Sequence, residues 1–117
     1  MIEATCHCGA VKIAVPRKPR DVTDCNCSIC RRYGVLWAYY PAAQVTIRGT
    51  ARSFYRWGPK TIQFGRCRRC GCVTHWEEIR KSARPRVGVN ARNFPRELLE
   101  SLRVRHLDGA DTWKYLD

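Results

Sequence analysis

No apolar run in this chain approaches the roughly 20 residues of a helical membrane span, which excludes a transmembrane helix. The opening Met-Ile-Glu-Ala-Thr-Cys lacks the basic start and apolar stretch of a secretion signal, so the cytoplasm is the expected compartment. There is no glycine-rich phosphate loop and no dinucleotide fingerprint, which removes the nucleotide-binding classes built on them. Linkers, internal repeats and low-complexity stretches are also missing, so residues 1–117 read as a single domain. Acidic residues are few, 10 against 22 lysines and arginines, and the formal net charge is +12.

What is present in excess is cysteine. Eight occur in 117 residues, and seven of them fall into three tight groups: Cys6-His7-Cys8, then Cys25-Asn26-Cys27-Ser28-Ile29-Cys30, then Cys67-Arg68-Arg69-Cys70 with Cys72 two residues on. In a reducing compartment such spacings read as metal ligands rather than as a disulfide framework, and zinc is the usual occupant. A domain of this size buries only about two-thirds of its unfolded surface, so a metal cross-link adds needed stability.

Cys6 and Cys8 supply two ligands, and Cys67 and Cys70 supply two more. Together they make a closed four-thiolate site of the structural kind, which staples the start of the chain to its middle. Cys25, Cys27 and Cys30 supply three thiolates within six residues. That leaves a fourth position for water or a substrate thiol, as in catalytic zinc sites, or for a further ligand. Cys72 is the nearest candidate for such a ligand, and His7 and His75 are weaker ones. Two zinc ions per chain are therefore expected. Counting seven thiolates and two zinc ions lowers the net charge from +12 to about +9, which is still basic.

Short runs of alternating or β-branched residues recur along the chain, separated by turn residues. Strands are expected at Ile2 to Thr5, Ala10 to Val15, Asp21 to Cys25, Val35 to Tyr40, Val45 to Arg48 and Arg52 to Trp57. Further ones fall at Thr61 to Arg66, Val73 to Glu77, Val87 to Asn90 and Leu102 to Leu107. Ser28 to Tyr33 reads as one helical turn, and the segment from Pro95 to Leu102 as a short helix with proline near its first turn. Many short strands at close spacing indicate an all-β sandwich or barrel. Trp37, Tyr39, Tyr40, Phe54, Tyr55 and Trp57 read as core and sheet-face residues, some of which can line a pocket. His75, beside Trp76 on an expected strand, reads as a satisfied structural histidine.

The order of these motifs resembles the glutathione-dependent formaldehyde-activating enzyme family, which shares its domain with centromere protein V. The resemblance rests on Cys6-His7-Cys8-Gly9-Ala10-Val11, on Cys25 to Cys30 followed by Arg31-Arg32, and on Phe64 through Cys67 and Cys70 to Gly71. A late Gly88 to Asn90 segment and an acidic, aromatic tail complete it, so it covers nearly the whole chain. It implies a β-tent of packed antiparallel sheets stapled by zinc, with a short helical segment or two. By motif, Cys6, Cys8, Cys67 and Cys70 hold the structural zinc, and Cys25, Cys27 and Cys30 hold a catalytic-type zinc. The implied activity is that of a carbon–sulfur lyase joining or releasing a thiol, such as glutathione, and a small carbonyl such as formaldehyde.

Arginine forks suit carboxylates, so Arg31 and Arg32, directly after Cys30, are candidates for holding those of glutathione. The alternative is a basic, zinc-stabilised binding module for nucleic acid or another acidic partner. It rests on the net charge and on runs such as Arg66 to Arg69 and Arg80 to Arg86, but the basic residues are scattered and mark no single groove. A redox dithiol at Cys67, Cys70 and Cys72 is a third, weaker reading.

Overall fold

The computed structural model describes residues 1–117 and contains ten strands and two short helices. The strands are β1 (Ile2–Thr5), β2 (Lys12–Val15), β3 (Asp21–Cys25), β4 (Trp37–Pro41) and β5 (Thr46–Arg48), followed by β6 (Arg52–Tyr55), β7 (Ile62–Cys67), β8 (Val73–Glu78), β9 (Arg86–Asn90) and β10 (Arg103–Leu107). Helix α1 spans Ser28–Tyr33 and α2 spans Arg96–Ser101. Two 3-10 turns, at Ala42–Gln44 and Ala91–Asn93, follow β4 and β9 and were not evident from the residue pattern. No helix is long and apolar enough to cross a membrane.

The strands form two sheets. A three-stranded sheet runs β1-β2-β5, and a seven-stranded sheet runs β10-β3-β4-β9-β8-β7-β6. All pairings but one are antiparallel. The exception joins β10 to β3 in parallel, with Arg103 opposite Asp21 and Leu107 opposite Cys25. An all-antiparallel arrangement is thus corrected at one seam. Strand pairs adjacent in sequence favour antiparallel hairpins, but β3 and β10 come from opposite ends of the chain, and no tight turn constrains their direction.

The large sheet is covered on both faces, and β4 makes the division clear. Ala38 and Tyr40 join the main core, where Ala4, Ile13 and Val15 of the small sheet meet Val22, Val87, Val89, Phe94 and Leu102. Trp37 belongs to a second cluster on the other face, with Cys25, Cys30, Val35 and Phe64, and Tyr39 packs against that cluster. The period-two alternation of a strand therefore sends one set of β4 side chains to the core and the other to a separate chamber. Asn90 ties the centre together: its side chain accepts from the Leu36 N–H at 3.4 Å and donates to the Val73 carbonyl at 2.9 Å.

A register shift between Gly65 and Arg66 bulges β8. As a result two consecutive residues, Thr74 and His75, are both buried. The His75 ring bridges Thr74 Oγ1 at 2.9 Å and Glu77 Oε1 at 3.0 Å, so it is a satisfied structural histidine. Gly65 makes room for it, because a β-carbon there would lie 2.6 Å from His75 Cε1.

Candidate functional site

Two sets of cysteines converge in space. Cys6, Cys8, Cys67 and Cys70 form one, and Cys25, Cys27 and Cys30 form the other. In each, every sulfur lies within 4.8 Å of the rest, so each set is placed to hold a metal ion.

The four-cysteine centre is built from two similar turns. Cys6 and Cys8 follow β1, while Cys67 ends β7 and Cys70 follows it. Each turn is closed by a glycine in the left-handed region, Gly9 at φ 83° and Gly71 at φ 79°, where a side chain would strain the backbone. The Gly9 N–H returns to the Cys6 carbonyl at 3.1 Å, and the Gly71 N–H returns to the Cys67 carbonyl at 2.9 Å. Backbone N–H groups also point at sulfur, from Val11 to Cys6 Sγ at 3.3 Å and from Arg69 to Cys67 Sγ at 3.4 Å. The Cys72 backbone N–H, outweighing burial, holds the Cys70 thiol down at a pKa of about 5. Such donors favour thiolates, the form that binds metal.

The sulfur spacing provides a test of fit. Four sulfurs at about 2.3 Å from a tetrahedral zinc stand about 3.8 Å from one another. Cys6 and Cys8 Sγ are 3.8 Å apart, and Cys8 and Cys67 Sγ are 3.6 Å apart. Donor type, number and spacing all suit that ion. Cys72 packs beside this same centre, against the Cys6, Val11 and Cys67 cluster. It does not join the three-cysteine set, and neither does any histidine.

The three-cysteine centre is organised by α1. Cys27 caps the helix, with its Sγ accepting the Cys30 N–H at 3.4 Å, and the Gly34 N–H closes the other end on the Cys30 carbonyl at 3.0 Å. A sulfur thus does the work usually given to a Ser or Asp oxygen. Cys25 arrives from the end of β3, and Cys30 receives the Trp37 indole N–H at 3.3 Å. A hydrogen bond from Cys30 lowers the Cys25 pKa to about 6, while the same contact and burial push Cys30 up. The surroundings therefore favour the thiolate at Cys25 over that at Cys30. Gly109 closes it from behind: a β-carbon at this residue would stand 2.4 Å from Cys25 Sγ.

The two centres differ in what they face. Cys25, Cys27 and Cys30 line a cavity of about 550 Å³, and the cysteines of the four-membered set do not. The remaining walls include Trp37, Tyr39, Trp57, Phe64, Trp76 and Trp113, and no charged side chain is among them. Tyr39 is one of few polar groups there, and burial raises its phenol pKa so that it stays protonated. Arg31 and Arg32 are exposed and do not line the cavity. Arg32 instead donates to the Ser28 carbonyl at 2.8 Å, along its own helix.

Trp113 and Gly109 carry no site signal in the sequence. Trp57 follows an edge strand and reads as a core or sheet-face aromatic able to line a pocket, whereas Trp113 and Gly109 lie in a tail of turns. The signal available was compositional: all 4 tryptophans of the chain line this one cavity.

Comparison with known proteins identifies a family and a solved structure to which this chain is similar. A protein-family model described as glutathione-dependent formaldehyde-activating enzyme matches residues 1–103. Among solved structures, the crystal structure of a Rhodobacter sphaeroides protein is similar at 32% identity and a TM-score of 0.72, covering 88% of this chain and 99% of that one.

Proposed function

The chain belongs to the glutathione-dependent formaldehyde-activating enzyme family, and from that membership we propose that it is a zinc-dependent carbon–sulfur lyase-type enzyme acting on a thiol adduct. One zinc, held by Cys6, Cys8, Cys67 and Cys70, serves structure. The other, held by Cys25, Cys27 and Cys30, has a role in the reaction. The observation that carries this division is that only the three-cysteine set lines the cavity. An ion with three protein ligands supplies Lewis acidity at its remaining position and favours the thiolate form of a sulfur ligand.

The reaction balances simply. In an adduct R–S–CH(OH)–R′, the carbon–sulfur bond breaks with its electron pair passing to sulfur. The hydroxyl loses its proton as the C=O bond forms, and a thiolate and a carbonyl compound separate. The reverse step joins them. The chain contributes holding and shielding: the aromatic walls exclude water around the scissile bond, and the three cysteines fix one end of the site. Arg31 and Arg32, outside the cavity on α1, are proposed to meet carboxylates of a thiol such as glutathione that extend past the rim.

The test is the rate of exchange between glutathione, formaldehyde and their adduct, followed by NMR in the presence of metal-analysed protein. Acceleration over buffer that disappears in Cys27→Ser supports the reading. Equal rates with and without protein would sink it.

A further inference from the structure

The cavity beside Cys25, Cys27 and Cys30 fits poorly with a purely one-carbon, highly charged substrate. Its volume of about 550 Å³ lies within the range of ligand pockets, roughly 300–1,000 Å³. A formaldehyde-derived carbon fills little of that. Of the 17 lining residues 13 are hydrophobic, and none is Asp, Glu, Lys, Arg or His. Water there meets few hydrogen-bond partners, which apolar walls do not replace. Glutathione carries carboxylates and an ammonium group, and a charge brought against such walls without a partner is strongly disfavoured.

The walls are rings, and they are braced. Trp37 and Phe64 stand 6.1 Å apart between centroids, and Tyr39 and Trp76 stand 6.0 Å apart. Gly88 lets the Trp76 indole lie flat on β9, since a β-carbon there would fall 2.0 Å from its Nε1. At the mouth, Trp113 and Trp57 line the cavity while remaining 69% and 42% exposed. Large indoles left this open on a small domain mark a surface that something apolar covers.

Trp113 is also held deliberately. Its φ is 60°, an uncommon conformation for a residue with a side chain. Its N–H donates to the Asp108 carbonyl at 2.7 Å, and the Asp108 carboxylate accepts from Asn26 at 3.0 Å and from the Thr112 hydroxyl at 2.9 Å. The same loop presses Gly109 against Cys25 Sγ. One loop therefore fixes both the back of the three-cysteine centre and an aromatic panel of the chamber.

We propose that this cavity selects thiol adducts carrying an apolar, ring-sized group next to the sulfur, delivered either by the carbonyl component or by the thiol. The proposal rests on the lyase reading for the adduct chemistry, and on the chamber alone for the apolar preference. If the carbonyl brings the ring, a hydrophilic thiol can trail out past α1. If the thiol brings it, the polar part of glutathione is not needed.

The experiment reads binding and turnover separately. Tryptophan fluorescence reports occupancy directly, because every tryptophan lies in the cavity wall. Protein of measured metal content is titrated with benzyl mercaptan, phenylacetaldehyde, glutathione and formaldehyde, with benzyl alcohol as a ring-bearing probe that lacks both thiol and carbonyl. At least one ring-bearing probe is expected to saturate about tenfold more tightly than glutathione and formaldehyde, as burial of a ring predicts. Comparison of benzyl mercaptan with phenylacetaldehyde then identifies which component brings the ring. Trp113→Ala and Trp57→Ala, both at exposed positions, are expected to weaken that binding about tenfold. Glutathione binding as tightly as every ring-bearing probe, or affinities indifferent to both substitutions, would overturn the proposal.

Cleavage of the glutathione adducts of formaldehyde and phenylacetaldehyde is measured in parallel. Ring-bearing probes that bind while neither adduct is cleaved leave the chamber assignment standing and remove the lyase reading. Equal cleavage of both adducts, with no affinity for any ring, does the reverse.

Discussion

Gly109 and Cys25 touch across the parallel seam between β3 and the segment after β10: a β-carbon on Gly109 would sit 2.4 Å from the Cys25 sulfur. That distance is far inside van der Waals contact, and Gly109 is buried. Gly109→Ala is therefore expected to displace Cys25 Sγ and loosen the three-cysteine centre while sparing the other. Metal analysis of the variant should give about one zinc per chain where the parent gives two, since a three-thiolate site with one arm moved loses its ion first. Full retention of both ions, with unchanged affinity, would show that the loop yields instead.

The four-cysteine centre should behave differently under substitution. Structural zinc contributes on the order of 10 kcal/mol to folding in small peptides, which matches the whole stability of an ordinary domain. Cys67→Ser is expected to abolish the cooperative unfolding transition in calorimetry, or to lower its midpoint by tens of degrees. Cys27→Ser is expected to leave that transition within several degrees of the parent and to remove activity. Similar melting of both variants would argue against separate structural and reactive roles.

The tail carries a pH-dependent clasp. The Asp117 carboxylate hydrogen-bonds His106 Nδ1 at 2.7 Å and raises the histidine above its ordinary value of 6.5, while the same contact lowers Asp117 below 3.8. A raised histidine stabilises the clasp fully below pH 6.5, and that contribution is lost as pH rises through the folded value. The lowered Asp117 contributes above pH 3.8 and fades as pH falls through its own folded value. The clasp is thus tightest in the mildly acidic window between them. Proton NMR of the His106 ring should show its titration moving down in Asp117→Asn. An unchanged midpoint would mean that the pair does not form in solution.

Gly65 and His75 offer a packing test. Gly65→Ala brings a β-carbon to 2.6 Å from the His75 ring, which is held on both nitrogens and cannot swing away without breaking a hydrogen bond. Overpacking of this kind costs about 1–3 kcal/mol, and the lost bond adds about 1 kcal/mol. Chemical denaturation should show that loss as a lower midpoint at unchanged slope.

Both cysteine clusters were legible because ligand spacing is a local property: Cys27 and Cys30 sit one helical turn apart whatever surrounds them. The strands were legible for a similar reason, since alternation and turn residues mark each one within a few positions. Even so, β4 begins at Trp37 rather than Val35, and the 3-10 turns after β4 and β9 passed unseen. Long-range features were hidden. Nothing in Asp21 to Cys25 announces a parallel partner eighty positions away, and no pattern announces the bulge that buries Thr74 with His75.

Cys72 shows the limit most clearly. Its spacing made it a candidate cap for the three-cysteine centre, and the fold sets it beside the four-cysteine one, because β8 starts where the β7 turn ends. Arg31 and Arg32 adjoin Cys30 in sequence, but helical rotation turns successive residues about a hundred degrees apart, so neighbours of Cys30 need not share its cavity. The aromatic chamber itself was readable only as a surplus of rings, because which face each ring takes is decided by the sheet.

The β3–β10 seam also sets an order of assembly. Cys25, Cys27 and Cys30 leave the ribosome before Cys67 and Cys70, and the four-cysteine set is complete once Cys70 has emerged. Leu107 and Gly109, which back the three-cysteine cluster, emerge only after Cys70. Pairings between distant segments form slowly, after local ones. The three-cysteine centre is then complete only after the four-cysteine one, when that later segment docks. Until that moment its three thiols stand unshielded in the nascent chain, dependent on the reducing power of their surroundings.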